Sequence, residues 1–317
     1  MEKVRRILSI DGGGIKGVFP ASFLSTVEDA IGDRIANYFD LIVGTSTGGI
    51  IALGLGLGLS ADEILSFYEE LGPQIFKGNP LYKALRHLIF SKYDDAPLRD
   101  ALEQTLGSCT LGESKSRLVI PAMNLDTGEA YLYKTAHHAK NERDHKQLAV
   151  TVALATAAAP TYFPSHQSSS GLALVDGGLW ANNPTGVAVI EAVANLAWAP
   201  QSLRILSLGC TTSPSSVGWE RWLALGQLHW ASRCVELFMS GQSSSALGIA
   251  TLFAGQEHLL RISPSAAKGR FTMDGIRDIS CLKGLGVSEA RKALPKLRQM
   301  FLTTPVAPFQ PYCFHKR

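Results

Sequence analysis

Three short clusters in this 317-residue chain hold residue types that can carry out acyl transfer. Gly44-Thr45-Ser46-Thr47-Gly48 fits G-x-S-x-G and stands between an apolar strand-like segment and an apolar helix-like one. A sharp strand-to-helix turn at that place exposes the serine hydroxyl and demands small neighbours. The helix N-terminus that follows favours developing negative charge. Ser46 is thus the candidate nucleophile, with Gly44 and Gly48 as supporting positions. The second cluster, Asp11-Gly12-Gly13-Gly14-Ile15-Lys16-Gly17, follows another strand-like run. Successive glycines let backbone N–H groups point into one concavity, a nest able to hold the oxyanion of a tetrahedral intermediate. Lys16 adds positive charge close by. The third cluster is Asp176-Gly177-Gly178 after residues 172–175. Its glycines would let the carboxylate approach another loop closely, although alone it reads as an ordinary Asp-Gly turn.

Other chemistries compete for the same residues. Gly12, Gly14 and Gly17 match the dinucleotide fingerprint G-x-G-x-x-G, and Asp40 lies downstream near a second strand. That reading sets Asp11 awkwardly beside a pyrophosphate and leaves G-T-S-T-G-G without a role. A phosphate-binding Walker loop is excluded, because no G-K-[S/T] follows the glycines. A Ser-His-Asp triad would need a histidine late in the chain, for which His229, His258 or His315 could be proposed. His137, His138 and His145 read as solvated, and His166 stays open.

Together, DGGGIKG, GTSTG and DGG, in that order, resemble the patatin-like phospholipase family. The resemblance spans roughly residues 5–210 and takes in Ala157-Ala158-Ala159-Pro160-Thr161-Tyr162-Phe163-Pro164. It implies a Ser–Asp dyad, with Ser46 as nucleophile and Asp176 as base, and an oxyanion hole from the amides around Gly12, Gly13 and Gly14. Lys16 stands where the family commonly has arginine, so charge is kept but a bidentate contact is not. Such a dyad is chemically sound if a dry pocket raises the carboxylate's basicity. The longer match, including DLIVGTSTGGIIALGLGLGLSADEIL, KTAHH and DGGLWANNP, looks like the patatin-like effectors of bacterial CBASS anti-phage systems. That likeness implies membrane phospholipids as substrate and activation by a cGAMP-like cyclic dinucleotide from a cGAS-like synthase. It also implies a homo-oligomer on activation. The competing readings are a constitutive patatin-like lipase of lipid turnover, a dinucleotide-binding protein, and a non-catalytic membrane-binding module.

The elements that must position these residues follow from periodicity. Strands are expected at 6–10, 38–43, 118–122, 129–134, 172–175 and 203–208, and helices at 19–31, 150–159 and 184–197. Strands alternating with helices predict an α/β fold with a mainly parallel sheet, and the patatin resemblance makes it a three-layer α/β/α sandwich. Continuously apolar strands suit positions covered on both faces. The uncharged run 41–59 imitates a membrane span, but the G-T-S-T-G-G interruption and Gly54, Gly56 and Gly58 argue for a buried strand, turn and helix. Residues 1–317 read as one domain, with the catalytic motifs inside 5–210. A mostly helical C-terminal extension over 211–317, including 218–262 and 288–302, is a possible regulatory part.

Bulk properties narrow the setting. The chain is 46% hydrophobic and 18% charged, ordinary for a protein with a substantial core, and its net charge of +3 is no nucleic-acid signature. Its five cysteines are scattered without a CxxC pair, which fits a reducing compartment rather than disulfides or zinc. A cytoplasmic protein acting at the inner membrane surface, without a metal, is the expectation. The basic amphipathic stretch within 71–95, with Leu81, Leu85, Leu88 and Ile89 against Lys83, Arg86 and Lys92, suits a lid, a membrane contact or a plain surface helix. Trp219, Arg221, Trp222, Trp230 and Arg233 could stack bases and pair phosphates, yet tryptophans at helical spacing are more often core, so no nucleotide site is assigned.

Overall fold

The first strand states the plan of the molecule. In β1 (Arg5–Ile10) Ile7 packs with one cluster of apolar side chains, while Leu8 and Ile10 pack with another. In β2 (Leu41–Gly44) Leu41 and Val43 join Ile7, and Ile42 joins Leu8. Alternate residues of a strand point to opposite faces, so both faces of this sheet are covered. The chain is described here from a computed structural model over residues 3–76, 90–212, 227–267 and 269–312. Helices Val18–Ile31, Thr47–Leu57, Ala149–Ala157 and Ile279–Met300 cover one face; helices Thr185–Ile190 and Gln227–Ala254 cover the other. The result is the expected α/β/α sandwich.

The remaining strands are β3 (Arg117–Asn124), β4 (Ala130–Lys134), β5 (His166–Gln167), β6 (Ala173–Asp176), β7 (Leu203–Leu208) and β8 (Leu259–Ile262). Their order is β5-β6-β3-β2-β1-β7-β8, with β4 also paired to β3. Strands β3, β2, β1, β7 and β8 run parallel; β4 and β6 are antiparallel to β3. One detail of register positions the site. β4 pairs with Val119–Met123 of β3, so β2 at Val119 and β6 at Ala122 must share the opposite edge. β2 and β6 therefore run toward each other along β3 and end almost nose to nose. Ser46 lies two residues beyond the end of one, and Asp176 is the last residue of the other.

The helix Thr47–Leu57 contains Gly48, Gly49, Gly54 and Gly56, each costing about 1 kcal/mol of helix propensity relative to alanine. It forms because Ile51, Leu53 and Leu55 are at most 1% exposed, and burial contributes about 1.5–3 kcal/mol for each such side chain. This is the uncharged stretch that imitated a membrane span. Among the described residues no helix is long and apolar enough to cross a membrane.

Two sequence expectations need correction. Residues 259–262, expected to continue a helix, form β8, because β7 offers them an edge with which Leu259–Ile262 pair in parallel. The last helix begins at Ile279, well before residue 288, and packs Gly286 directly against Phe19 and Ser22 of the Val18–Ile31 helix. The core of the amphipathic stretch at 71–95, and Trp219, Arg221 and Trp222, lie outside the described residues.

Candidate active site

The chain turns sharply between β2 and the following helix. Ser46 sits at φ 55° and ψ −123°, a left-handed backbone seldom adopted by a residue with a side chain. Neighbouring packing imposes this conformation. A Cβ at Gly44 would run into the carbonyl of Gly48, and one at Gly48 into the carbonyl of Ile10. Those clashes are the physical reason for the small residues on either side of the serine. Thr156, from the helix Ala149–Ala157, holds the turn further: its hydroxyl accepts from the Ser46 amide at 2.9 Å and donates to the carbonyl of Pro121.

The Ser46 hydroxyl donates to Oδ2 of Asp176 at 2.6 Å, and both residues are 5% exposed. The Gly178 amide donates to the other carboxylate oxygen at 2.7 Å. No cation pairs with Asp176 among the described residues. Burial pushes its carboxyl up to about 6, against the pull of the Ser46 hydroxyl and the Gly178 amide. A carboxylate of that basicity, touching an alcohol at the start of a helix, can accept the alcohol's proton as it attacks a carbonyl carbon.

The glycine loop lies over the serine, with Gly12 packed against both Ser46 and Asn182. Its amides are not equivalent. That of Gly12 already donates to the carbonyl of Asn182 at 3.0 Å. Among the described residues the amides of Gly13 and Gly14 have no backbone partner. Of the three amides expected in an oxyanion nest, those of Gly13 and Gly14 are thus the ones left without a backbone partner, while that of Gly12 is engaged. Lys16 is half-buried beside Gly13.

Two apolar cavities meet at Ser46. One is a narrow slot of about 50 Å³ bounded by Ile15, Ile50, Phe67, Ile75, Leu98 and Phe163. The other, about 780 Å³, opens past Asp176 between Leu179 and Trp180 on one side and Leu237 and Phe238 on the other. Met273 lines both. Its neighbour Asp274 is bound by the Lys92 ammonium and by the Tyr93 hydroxyl at 2.7 Å, which ties down this segment.

The described histidines stand apart from the serine. None of the described ones hydrogen-bonds Ser46 or Asp176. His258 bonds the carbonyl of Ala254 at 2.6 Å, and His315 lies outside the described residues, as does the side chain of His229. His166 is in β5, where burial lowers its pKa. His137, expected in solvent, has a side chain 0% exposed, bonded to Thr135 at 2.8 Å and Glu191 at 2.9 Å. Among the described residues no group of three or more His, Cys, Asp or Glu side chains is disposed to hold a metal ion.

The family model described as patatin-like phospholipase matches residues 8–189. The chain is also 35% identical to a cGAMP-activated phospholipase of Pseudomonas aeruginosa, over 91% of this chain and 88% of that one. The chain belongs to the patatin-like phospholipase family. As a patatin-like phospholipase it is a lipid acyl hydrolase. Further relatives carrying the name cGAMP-activated phospholipase come from Escherichia coli (30% identity; 96% and 94% of the two chains) and Vibrio cholerae (36%; 67% of each). Within this patatin-like site the residues that sequence reasoning missed are Thr156, Asn182 and Met273. Thr156 and Met273 stand outside the three motifs, and Asn182 sits in DGGLWANNP, where its backbone carbonyl, invisible to residue type, makes the contact.

Proposed function

We propose that this protein hydrolyses membrane phospholipids through a Ser46–Asp176 dyad and that a cyclic dinucleotide switches it on. The observation that carries the catalytic half is the 2.6 Å contact from a strained, buried serine to a buried carboxylate that has no cation partner among the described residues. Asp176 takes the Ser46 proton as Oγ attacks the ester carbonyl. The negative oxygen of the tetrahedral intermediate is received by the amides of Gly13 and Gly14, and the lysolipid alcohol leaves with the proton that Asp176 returns. Water then attacks the acyl-serine by the same route, regenerating the dyad. The apolar slot and the wider apolar cavity suit the hydrocarbon of a lipid on either side of the serine.

The regulatory half rests on relatives from three bacteria that share the name cGAMP-activated phospholipase, two of them aligned over nine-tenths of this chain. The resemblance of the longer sequence match to CBASS effectors extends this reading to an anti-phage effector that degrades the host membrane from the cytoplasmic side and assembles on activation. The test is fluorogenic phospholipid hydrolysis by the wild type, Ser46→Ala and Asp176→Asn, each with and without a panel of cyclic dinucleotides. Turnover only with one nucleotide, absent from both variants, is the expected result. Equal turnover without nucleotide removes the switch and leaves the hydrolase; full activity in Ser46→Ala overturns the dyad.

A further inference from the structure

An oxyanion nest works only if its amides are held still, because hydrogen bonds aimed at developing charge lose their effect when the donors must reorganise. The glycine loop has little of its own to hold it: three glycines in succession have no side chains. Its restraints come from elsewhere in the chain. The Gly12 amide is fixed to Asn182, and the Ile15 amide donates to the carbonyl of Met273 at 2.8 Å. Gly14 adopts φ +59° directly beneath that carbonyl, which any Cβ at this position would strike. The strongest restraint is on Asp11, the residue that opens the loop. Arg261 grips its carboxylate with both ends of the guanidinium, Nη1 to Oδ1 at 2.9 Å and Nη2 to Oδ2 at 2.6 Å.

This grip is built, not incidental. Arg261 lies on β8, opposite Ser207 of β7, which in turn is opposite Ser9 of β1. Its side chain reaches back across β7, donating to the Ser207 hydroxyl at 2.8 Å on the way. The side chains of Arg261 and Asp11 are 18% and 7% exposed. Burial disfavours the cation, but Asp11 outweighs it and holds the guanidinium above its ordinary pKa. Planar two-point pairing fixes orientation as well as distance, which a lysine cannot do. Both Arg261 and Met273 lie beyond residues 8–189, the span matched by the family model.

We propose that Arg261 is a positioning residue for the oxyanion loop, acting through Asp11 to aim the amides of Gly13 and Gly14 at the carbonyl oxygen attacked by Ser46. The inference rests on the dyad reading above. It makes the C-terminal part of the chain a component of catalysis, although no reacting atom touches it.

The experiment compares Arg261→Gln, Arg261→Lys, Asp11→Asn and the double variant Asp11→Asn/Arg261→Gln in the full-length protein. The cyclic dinucleotide is included if the wild type needs it. Arg261→Gln should lower kcat by roughly 10- to 100-fold, less than outright loss of an oxyanion donor, with KM changed by no more than about twofold. Arg261→Lys, which keeps the charge but not the fork, should lose less. The double variant should be no worse than the poorer single one, as expected for two residues acting as a unit. The decisive readout is an alkyl trifluoromethyl ketone, whose adduct with the serine places a negative oxygen in the nest. Its affinity should fall by the same factor as kcat/KM across the series. A folded Arg261→Gln with wild-type kcat overturns the proposal, as does a lower kcat with undiminished ketone affinity. If Arg261→Gln fails to fold, Arg261→Lys decides by the same ratio. Failure of the ketone to bind even the wild type, together with an active Ser46→Ala, removes the dyad itself; ketone binding that is equal in wild type and variants removes only the role of Arg261.

Discussion

Asp176 and Glu191 are both acidic side chains sealed into this protein, at 5% and 2% exposure, yet their surroundings drive them in opposite directions. Asp176 faces a hydroxyl and an amide, has no cation beside it among the described residues, and is pushed by burial up to about 6. Glu191 is desolvated too, but the His137 ring, the Lys134 ammonium at 2.6 Å and the Asn195 amide outweigh burial and bring it down to about 2. The first is kept basic and restless; the second is kept charged and satisfied. Burial alone therefore marks neither function nor structure, and the presence of a neighbouring cation separates the two.

The contrast can be broken first at the serine. Removing either partner, by Ser46→Ala or Asp176→Asn, should cut phospholipid turnover by about a thousandfold or more, with folding retained. Steady-state hydrolysis beside far-UV circular dichroism checks this. Glu191→Gln should leave turnover per folded molecule unchanged.

The next effect is pH dependence of the chemistry. In the proposed dyad Asp176 acts as base only when ionised, so kcat/KM should fall about tenfold per pH unit below an apparent pKa of about 6. A rate that stays flat from pH 7 to about 4.5 would contradict a raised Asp176.

Stability sharpens the comparison with opposite signs. The Glu191 pKa is depressed on folding, so its contribution is present above about 4.5 and lost as pH falls toward about 2. Glu191→Gln should cost about 3 kcal/mol at neutral pH, with the deficit shrinking through that window in urea melts. The Asp176 pKa is raised on folding, so the native state is penalised as pH climbs from 3.8 through about 6. Asp176→Asn should thus stabilise the protein by about 1–3 kcal/mol at pH 7.5, and by nothing measurable near pH 3.5. Equal gains at both pH values would mean that the Asp176 charge is not the cause.

Much of this was legible in the residue order. The strand and helix around Ser46 could be read because apolar patterning and small-residue turns are local properties, and Gly44 and Gly48 are small for reasons of immediate backbone crowding. β1, β2, β4 and β7 likewise announce themselves by short apolar or alternating runs. β8 did not, because four residues at the end of a long helix carry too little pattern to declare a strand before β7 offers an edge. The status of His137 was hidden as well: KTAHH reads as a polar surface loop until Glu191, 54 residues later, closes over it.

Sequence alone determined which residue types were available for acyl transfer and the local turns that present them, since turn geometry depends on neighbours along the chain. Tertiary structure decided everything that depends on distance between remote segments. It brought Ser46 within 2.6 Å of Asp176 by making β2 and β6 meet along β3, and it consumed the Gly12 amide while leaving those of Gly13 and Gly14. It also decided which buried carboxylate would meet a cation, because desolvation and charge pairing are properties of the packed neighbourhood and not of the chain's order.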